Sequence, residues 1–299
     1  MFSKTTLSLA TLAAIAFSQN AFADDYQTFF GASVTSNKTT VKGAGSSTSE
    51  SREAWNLNMQ YYFDPRPTLG PLAEFDFINQ QSRISAGLFG ASGNRQYSLA
   101  GEYIMDSLVF SGTTVYDNDS DTEFTNIGLA YFINKDIKLS ISRESSDGLG
   151  GLFDSDESVF SFGADYVHQM QGNDYVGVSY RTDEDFLQQI VNTKYFTALS
   201  GGRYLTVDAT LNVFDDDFFS DERLDLGASY YFNDYTSIGA GFNLIGDDDS
   251  YSLFARHFFN KRSSILLSYA NSESEFVSFG DEKIKIKNDS WNLSYVYQY

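Results

Sequence analysis

The sequence predicts an all-β protein: a closed antiparallel transmembrane β-barrel of about 16 strands. Three observations predict it. Apolar and polar residues alternate at period two along nearly the whole chain after Asp24, the pattern of strands with two unlike faces. Short connections that follow aromatic strand ends take turns with longer, more polar ones, as in barrels whose two ends face different compartments. No apolar run reaches the roughly 20 residues of a spanning helix, because Gly, Ser, Asp or Asn interrupts each one.

The N-terminus comes first. Lys4, the apolar stretch Leu7 to Phe17 and the small-x-small triplet Ala21-Phe22-Ala23 read as an export signal cut before Asp24. The expected division is 1–23, a removed signal peptide, and 24–299, one barrel domain.

The strands follow as hairpins. Ile137, Leu139 and Ile141 alternate with Lys138, Ser140 and Ser142, and Leu205, Val207, Leu211 and Val213 with Thr206, Asp208, Thr210 and Asn212. Short turns are expected at Phe63-Asp64-Pro65, Met105-Asp106-Ser107, Asn134-Lys135-Asp136, Gly172-Asn173-Asp174, Gly201-Gly202, Asn233-Asp234 and Asn260-Lys261. Longer connections such as Ser36 to Glu53, Ser145 to Asp156, Asp183 to Gln189 and Ser272 to Lys287 lie between them. Hairpin loops then centre near residues 44, 86, 119, 150, 186, 217, 248 and 280. The hairpin from Leu69 to Met105 is the least regular, because its apolar face breaks at Asn79 to Arg83. A different division there changes the count to about 14 or 18.

Aromatics make up 16% of the chain, and Tyr61, Tyr62, Phe63, Tyr131, Phe132, Tyr230, Tyr231, Phe232, Phe258 and Phe259 all precede short turns. Rings at such positions form girdles at the membrane interface. There is no Cys, so no disulfide framework supports this exported chain. With 40 acids against 20 bases, the net charge is −20, which excludes nucleic acid as a partner.

A cationic side chain facing lipid at the midplane costs on the order of 2–4 kcal/mol, so charges on strands are expected to face inward. The candidates are Asp76, Glu102, Lys138, Asp165, Arg181, Lys194, Asp208, Asp225 and Arg256. Acids also cluster in the proposed loops, at Asp117, Asp119 and Asp121, then Asp183, Glu184 and Asp185. Asp215, Asp216 and Asp217 follow, and then Asp247, Asp248 and Asp249. Such a mouth concentrates cations. No cofactor is expected beyond Ca or Mg bridging these acidic loops to lipopolysaccharide. His168 and His257 lie beside short turns, which leaves a Ser nucleophile on the loop side without a general base. Catalysis is not expected.

The signal ending in Ala21-Phe22-Ala23, the train of short-turn hairpins and the terminal strand Trp291 to Tyr299 together resemble Gram-negative outer-membrane porins. More loosely, the chain is similar to the putative general bacterial porins. The resemblance implies localisation in the outer membrane among lipid and lipopolysaccharide. It also implies insertion by the barrel-assembly machinery, which reads alternate aromatics such as Trp291, Tyr295, Tyr297 and Tyr299, and a homotrimer. The function it implies is passive diffusion of small hydrophilic solutes and ions, here with cation preference. The alternative is a non-conducting structural, adhesion or receptor barrel that acts through its extracellular loops. One departure stands out: the third loop of general porins folds inward to narrow the pore, whereas Asp117 to Glu123 is short.

Overall fold

The computed structural model describes residues 25–43, 46–147, 158–215, 220–246, 248–277 and 283–299. The signal residues and the tips of the expected loops near 44, 150, 217 and 280 lie outside the described residues.

Sixteen strands close into one antiparallel ring. They begin with β1 (Asp25–Gly43), β2 (Ser46–Pro67), β3 (Arg83–Ala91), β4 (Asn94–Met105), β5 (Leu108–Asp117) and β6 (Thr122–Asn134). β7 (Ile137–Asp147), β8 (Val159–Gln169), β9 (Tyr175–Asp183), β10 (Gln188–Leu199) and β11 (Arg203–Asp215) follow. β12 (Ser220–Asn233), β13 (Thr236–Ile245), β14 (Asp248–Asn260), β15 (Ser263–Val277) and β16 (Lys283–Gln298) complete the order. The seam pairs β1 with β16 from Phe29↔Gln298 to Lys42↔Lys285. Closure removes the free edges that would leave backbone polar groups unpaired in lipid.

Local chemistry sets the turns. In three periplasmic turns an Asn side chain accepts N–H bonds from the residues that follow. Asn134 Oδ1 takes the Asp136 N–H at 2.8 Å, Asn233 Oδ1 those of Tyr235 and Thr236, and Asn260 Oδ1 those of Arg262 and Ser263. At the opposite end Ser92 and Gly93 join β3 to β4 with φ of 51° and 97°. Two positive φ angles match the twist of a two-residue hairpin.

Two expectations on the connections are corrected. Ser36 to Glu53 and Ser272 to Lys287 are not loops for most of their length. They are ladder, paired from Ser36↔Glu53 to Gly43↔Ser46 and from Ser272↔Asn288 to Val277↔Lys283. Strand β2 has 22 residues, about twice what a tilted strand needs to cross the membrane, so this wall rises above it. Outside lipid both faces can be polar, and Thr40 and Ser49 pair through their hydroxyls at 3.0 Å.

The hairpin expected at residue 86 turns at Ser92-Gly93 instead, and β2 continues through the expected turn at Phe63-Asp64-Pro65. The β2–β3 ladder starts at Tyr62↔Arg83. Beyond it Pro65 and Pro67 lack the N–H that further pairing needs. The connection from 68 to 82 is therefore released from the wall, and it enters the barrel.

Candidate functional site

Exposure separates the two faces of the wall. Leu99, Tyr103, Leu139, Val207, Leu253 and Leu267 are exposed on the outer face, while their neighbours in sequence face the lumen. Eight of the nine expected inward charges sit on that inner face. Asp76 is the exception: it lies in the segment between β2 and β3 and not on a strand.

Most of the inner charges pair with one another. Asp165 on β8 accepts two bonds from Arg181 Nη2 at 2.8 and 3.0 Å and faces Lys138 Nζ at 3.3 Å. Glu102 meets Arg83 at 3.6 Å, and Asp225 meets Arg223 at 2.8 Å. Asp208 stands opposite Lys194 in the β10–β11 register, and Arg256 opposite Ser237 and Leu266. A cavity of about 510 Å³ lies against this wall, bordered by Asp208, Thr210, Asp225, Ser252, Ser272 and Ser290.

At the periplasmic end the lumen has a floor made of the segment 68–82. Its backbone and side chains reach turns on several sides. Leu72 N–H bonds Asp234 O at 2.9 Å, Asn173 Nδ2 bonds Leu69 O at 2.9 Å, and Gln80 Nε2 bonds Lys135 O at 3.2 Å. Gln298 Nε2 donates to Leu72 O at 3.3 Å. Glu74 crosses furthest: its Oε2 lies 2.6 Å from Lys194 Nζ on β10, and its Oε1 accepts the Tyr231 hydroxyl from β12. In a ring of sixteen, β10 is the strand diametrically opposite β2. Asn79 bonds Glu102 at 2.8 Å on the near side.

Apolar contacts fill the gaps. Leu72 packs with Tyr26 and Phe258, and Phe29, Phe75 and Tyr235 lie around them. Ile78 packs with Val109, Ala130 and Phe132, joined by Phe77, Ile104 and Val167. The Arg66 guanidinium sits 4.7 Å from the Phe75 ring centre and 4.8 Å from that of Tyr62. Two glycines make room. A Cβ on Gly177 would stand 2.5 Å from the Phe77 ring, and one on Gly70 2.6 Å from the Tyr204 ring.

This floor corrects the aromatic girdle. Phe63, Tyr131 and Phe259 are 56%, 51% and 60% exposed on the outer face, whereas Tyr62, Phe132 and Phe258 are only 2%, 8% and 4% exposed. Adjacent strand residues point to opposite faces, so half of each aromatic doublet turns inward and forms the socket for the segment. Glu74 and the segment itself were not among the expected site residues, and Tyr231, expected in the girdle, turns inward to Glu74. Two signals could have found them: aromatics on both parities at the same strand ends, and all three prolines falling within 65–71.

At the opposite end, Asp117 Oδ1 accepts the N–H groups of Asp119 and Ser120 at 2.9 and 3.2 Å, and Asp121 Oδ1 accepts the Tyr116 hydroxyl. Asp183 caps the β9–β10 turn through the N–H groups of Leu187 and Gln188, with Glu184 and Asp185 inside that turn. Asp215 ends β11, and Asp249 is the second residue of β14. Asp216, Asp217 and Asp247 lie outside the described residues, and of Asp248 only the backbone is described. On β16 Trp291 is exposed and Tyr297 is buried, and Tyr299, just past the strand, is exposed. Tyr299 N–H bonds Thr28 O, and Tyr299 O accepts from Gln27 and Thr28 at the seam. His168 and His257 are exposed near periplasmic turns, and His257 Nδ1 is 2.9 Å from the Thr236 hydroxyl.

The family model described as putative general bacterial porin matches residues 3–289. No curated protein matches the chain. Among solved structures, the outer membrane protein Omp33 of Acinetobacter baumannii is similar at 15% identity and a TM-score of 0.50, covering 92% of this chain and 99% of that one. OprB of Pseudomonas putida is similar at 9% identity and a TM-score of 0.50, covering 91% and 94%. At these identities the likeness is one of fold.

Proposed function

This chain belongs to the putative general bacterial porins, channel proteins of the Gram-negative outer membrane, and from that premise we propose that it passively conducts small hydrophilic solutes and ions with preference for cations. The observation that carries the reading is the closed sixteen-strand ring with a polar inner face. Side chains from the wall alone do not fill a barrel of that circumference. The preference comes from the outer mouth, where Asp117, Asp119, Asp121, Asp183, Glu184, Asp185, Asp215 and Asp249 gather. Inside, the acids are offset by Lys138, Arg181, Lys194, Arg83 and Arg223, so the mouth sets the sign of the field. In the same reading residues 1–23 are a leader removed on export, and the terminal strand is the signal for barrel assembly. The chain works as a channel and not as an enzyme. Trimer formation and Ca or Mg bridges from the acidic loops to lipopolysaccharide belong to this proposal as well.

Planar-bilayer recording tests it. Discrete steps with a cation-directed reversal potential across a KCl gradient are the expected result. Steps with an anion-directed potential would keep the channel and move selectivity to the inner Arg and Lys side chains.

The floor at 68–82 favours one second reading, a plugged barrel that serves through its loops or as an envelope strut. Absence of steps from protein whose folding is verified by heat-modifiable gel mobility would select it.

A further inference from the structure

We propose that the segment from Thr68 to Ser82 is the gate of this channel, a hinged periplasmic flap latched shut by Glu74 against Lys194 and Tyr231. The proposal rests on the channel reading above. Four observations carry it.

The segment's two ends leave the wall side by side. Phe63 N–H bonds Ser82 O at 2.9 Å, and β2 and β3 are ladder neighbours from there on. A flap attached along one edge can swing without breaking any barrel ladder bond. Pro65 and Pro67 stiffen one arm of that hinge by fixing φ.

The segment also holds its own shape. Leu69 N–H bonds Glu74 O at 2.9 Å, and Glu74 N–H bonds Pro71 O at 3.0 Å. It is no strand of the sheet, and its tie to the far wall is made mainly by side chains.

The charged part of that far tie is one carboxylate. Glu74 is buried, and its two oxygens are divided between Lys194 and Tyr231. Removing one partner of such a pair leaves a charge without compensation, which is strongly unfavourable for the state that buries it. The docked state is therefore sensitive to this one residue.

Docking also leaves polar groups unpaired. Tyr175 Oη and Arg256 Nε are buried with no hydrogen-bond partner among the described residues, and Tyr175 lies against Phe77 of the segment. Buried groups without partners favour release, so the closed state is held by its latch and apolar anchors against an opposing term.

No extracellular loop competes for this role among the described residues: the third connection on that side, between β5 and β6, spans only Asn118 to Asp121. With the flap down, solute meets a floor that spans the ring. With it up, solute meets a lumen lined by polar side chains.

The experiment is single-channel recording of the full mature chain and four variants: Glu74→Gln, Lys194→Met, the exchange Glu74→Lys with Lys194→Glu, and replacement of 68–82 by a two-residue Asn-Gly turn. The expected result is rare opening in the unaltered chain and about ten-fold or more open time in each single variant. The exchange should return open time toward the starting level, and the replacement should give a steady, larger conductance. Open times in both single variants equal to the parent's would overturn the latch, and with a larger conductance from the replacement would leave the channel reading standing with a fixed floor. A folded replacement variant that passes no current would overturn the channel reading and the gate together. The single variants keep every apolar anchor, so they decide the latch even if the replacement does not fold.

Discussion

Asp165→Asn removes the carboxylate that Arg181 and Lys138 share on the inner wall while keeping the side chain's shape. Asp165 is buried, and its bonds to Arg181 are bidentate at 2.8 and 3.0 Å with Lys138 at 3.3 Å. Breaking a buried ion pair costs about 3–5 kcal/mol. Lys138 is 15% exposed and Arg181 38%, so water screens part of the Arg181 charge and lowers the figure. A loss of roughly 2–3 kcal/mol follows, a factor of roughly 30–150 in the folding equilibrium. The assay is urea titration of folding into lipid vesicles, read from tryptophan fluorescence, with the midpoint shifted and the slope unchanged. The same variant removes one negative charge from the lumen, so the reversal potential should move toward anions. A stability change below about 0.5 kcal/mol would refute the reasoning, because it would mean that solvent already compensates both cations.

Three further outcomes are expected. Gly177→Ala places a methyl 2.5 Å from the Phe77 ring, and a backbone-mounted atom cannot yield. Overpacking of about 1–3 kcal/mol should lower the urea midpoint and lengthen open times together. Neutralising the rim with Asn and Gln at Asp119, Asp121, Asp183, Glu184 and Asp185 should reduce the cation-directed reversal potential, with the difference shrinking at high salt. At the β15–β16 tip, the Lys283 ammonium, 2.5 Å from the carboxylate of Glu275, holds that acid below its ordinary value. The lowered value means that the contribution is present above the unfolded pKa and is lost as pH falls through the folded one. Amide protection at this tip, taken relative to the intrinsic exchange rate at each pH, should therefore fall below about pH 4 while protection in the periplasmic half of the same strands is kept.

The floor also explains a departure from general porins that the chain shows in its third loop. A barrel of this width with a short connection between β5 and β6 has no inward loop at that place. The corresponding volume is filled from the periplasmic side. The aromatic doublets at the strand ends serve both arrangements at once, with one ring toward lipid and one toward the segment.

What the chain determines locally could be read directly. Period-two alternation gave the strands, because successive side chains on an extended backbone must point to opposite faces. The Asn-led turns at 134, 233 and 260 were legible because such a turn is closed by its own side chain. Inward placement of charge followed from the cost of meeting lipid. The strand count survived even where one hairpin was misplaced, because the displaced residues belonged to a connection and not to an extra pair. The destination of 68–82 was a different matter. Its prolines announce that the ladder stops, yet nothing within the segment says whether it hangs in the periplasm or enters the barrel. That choice depends on Lys194, 120 residues away, and Tyr231, 157 away, and on rings and glycines that only ring closure brings to one level. Burying an acid inside a barrel is favourable only where a cation and a hydroxyl already wait for it, and tertiary structure alone puts them there.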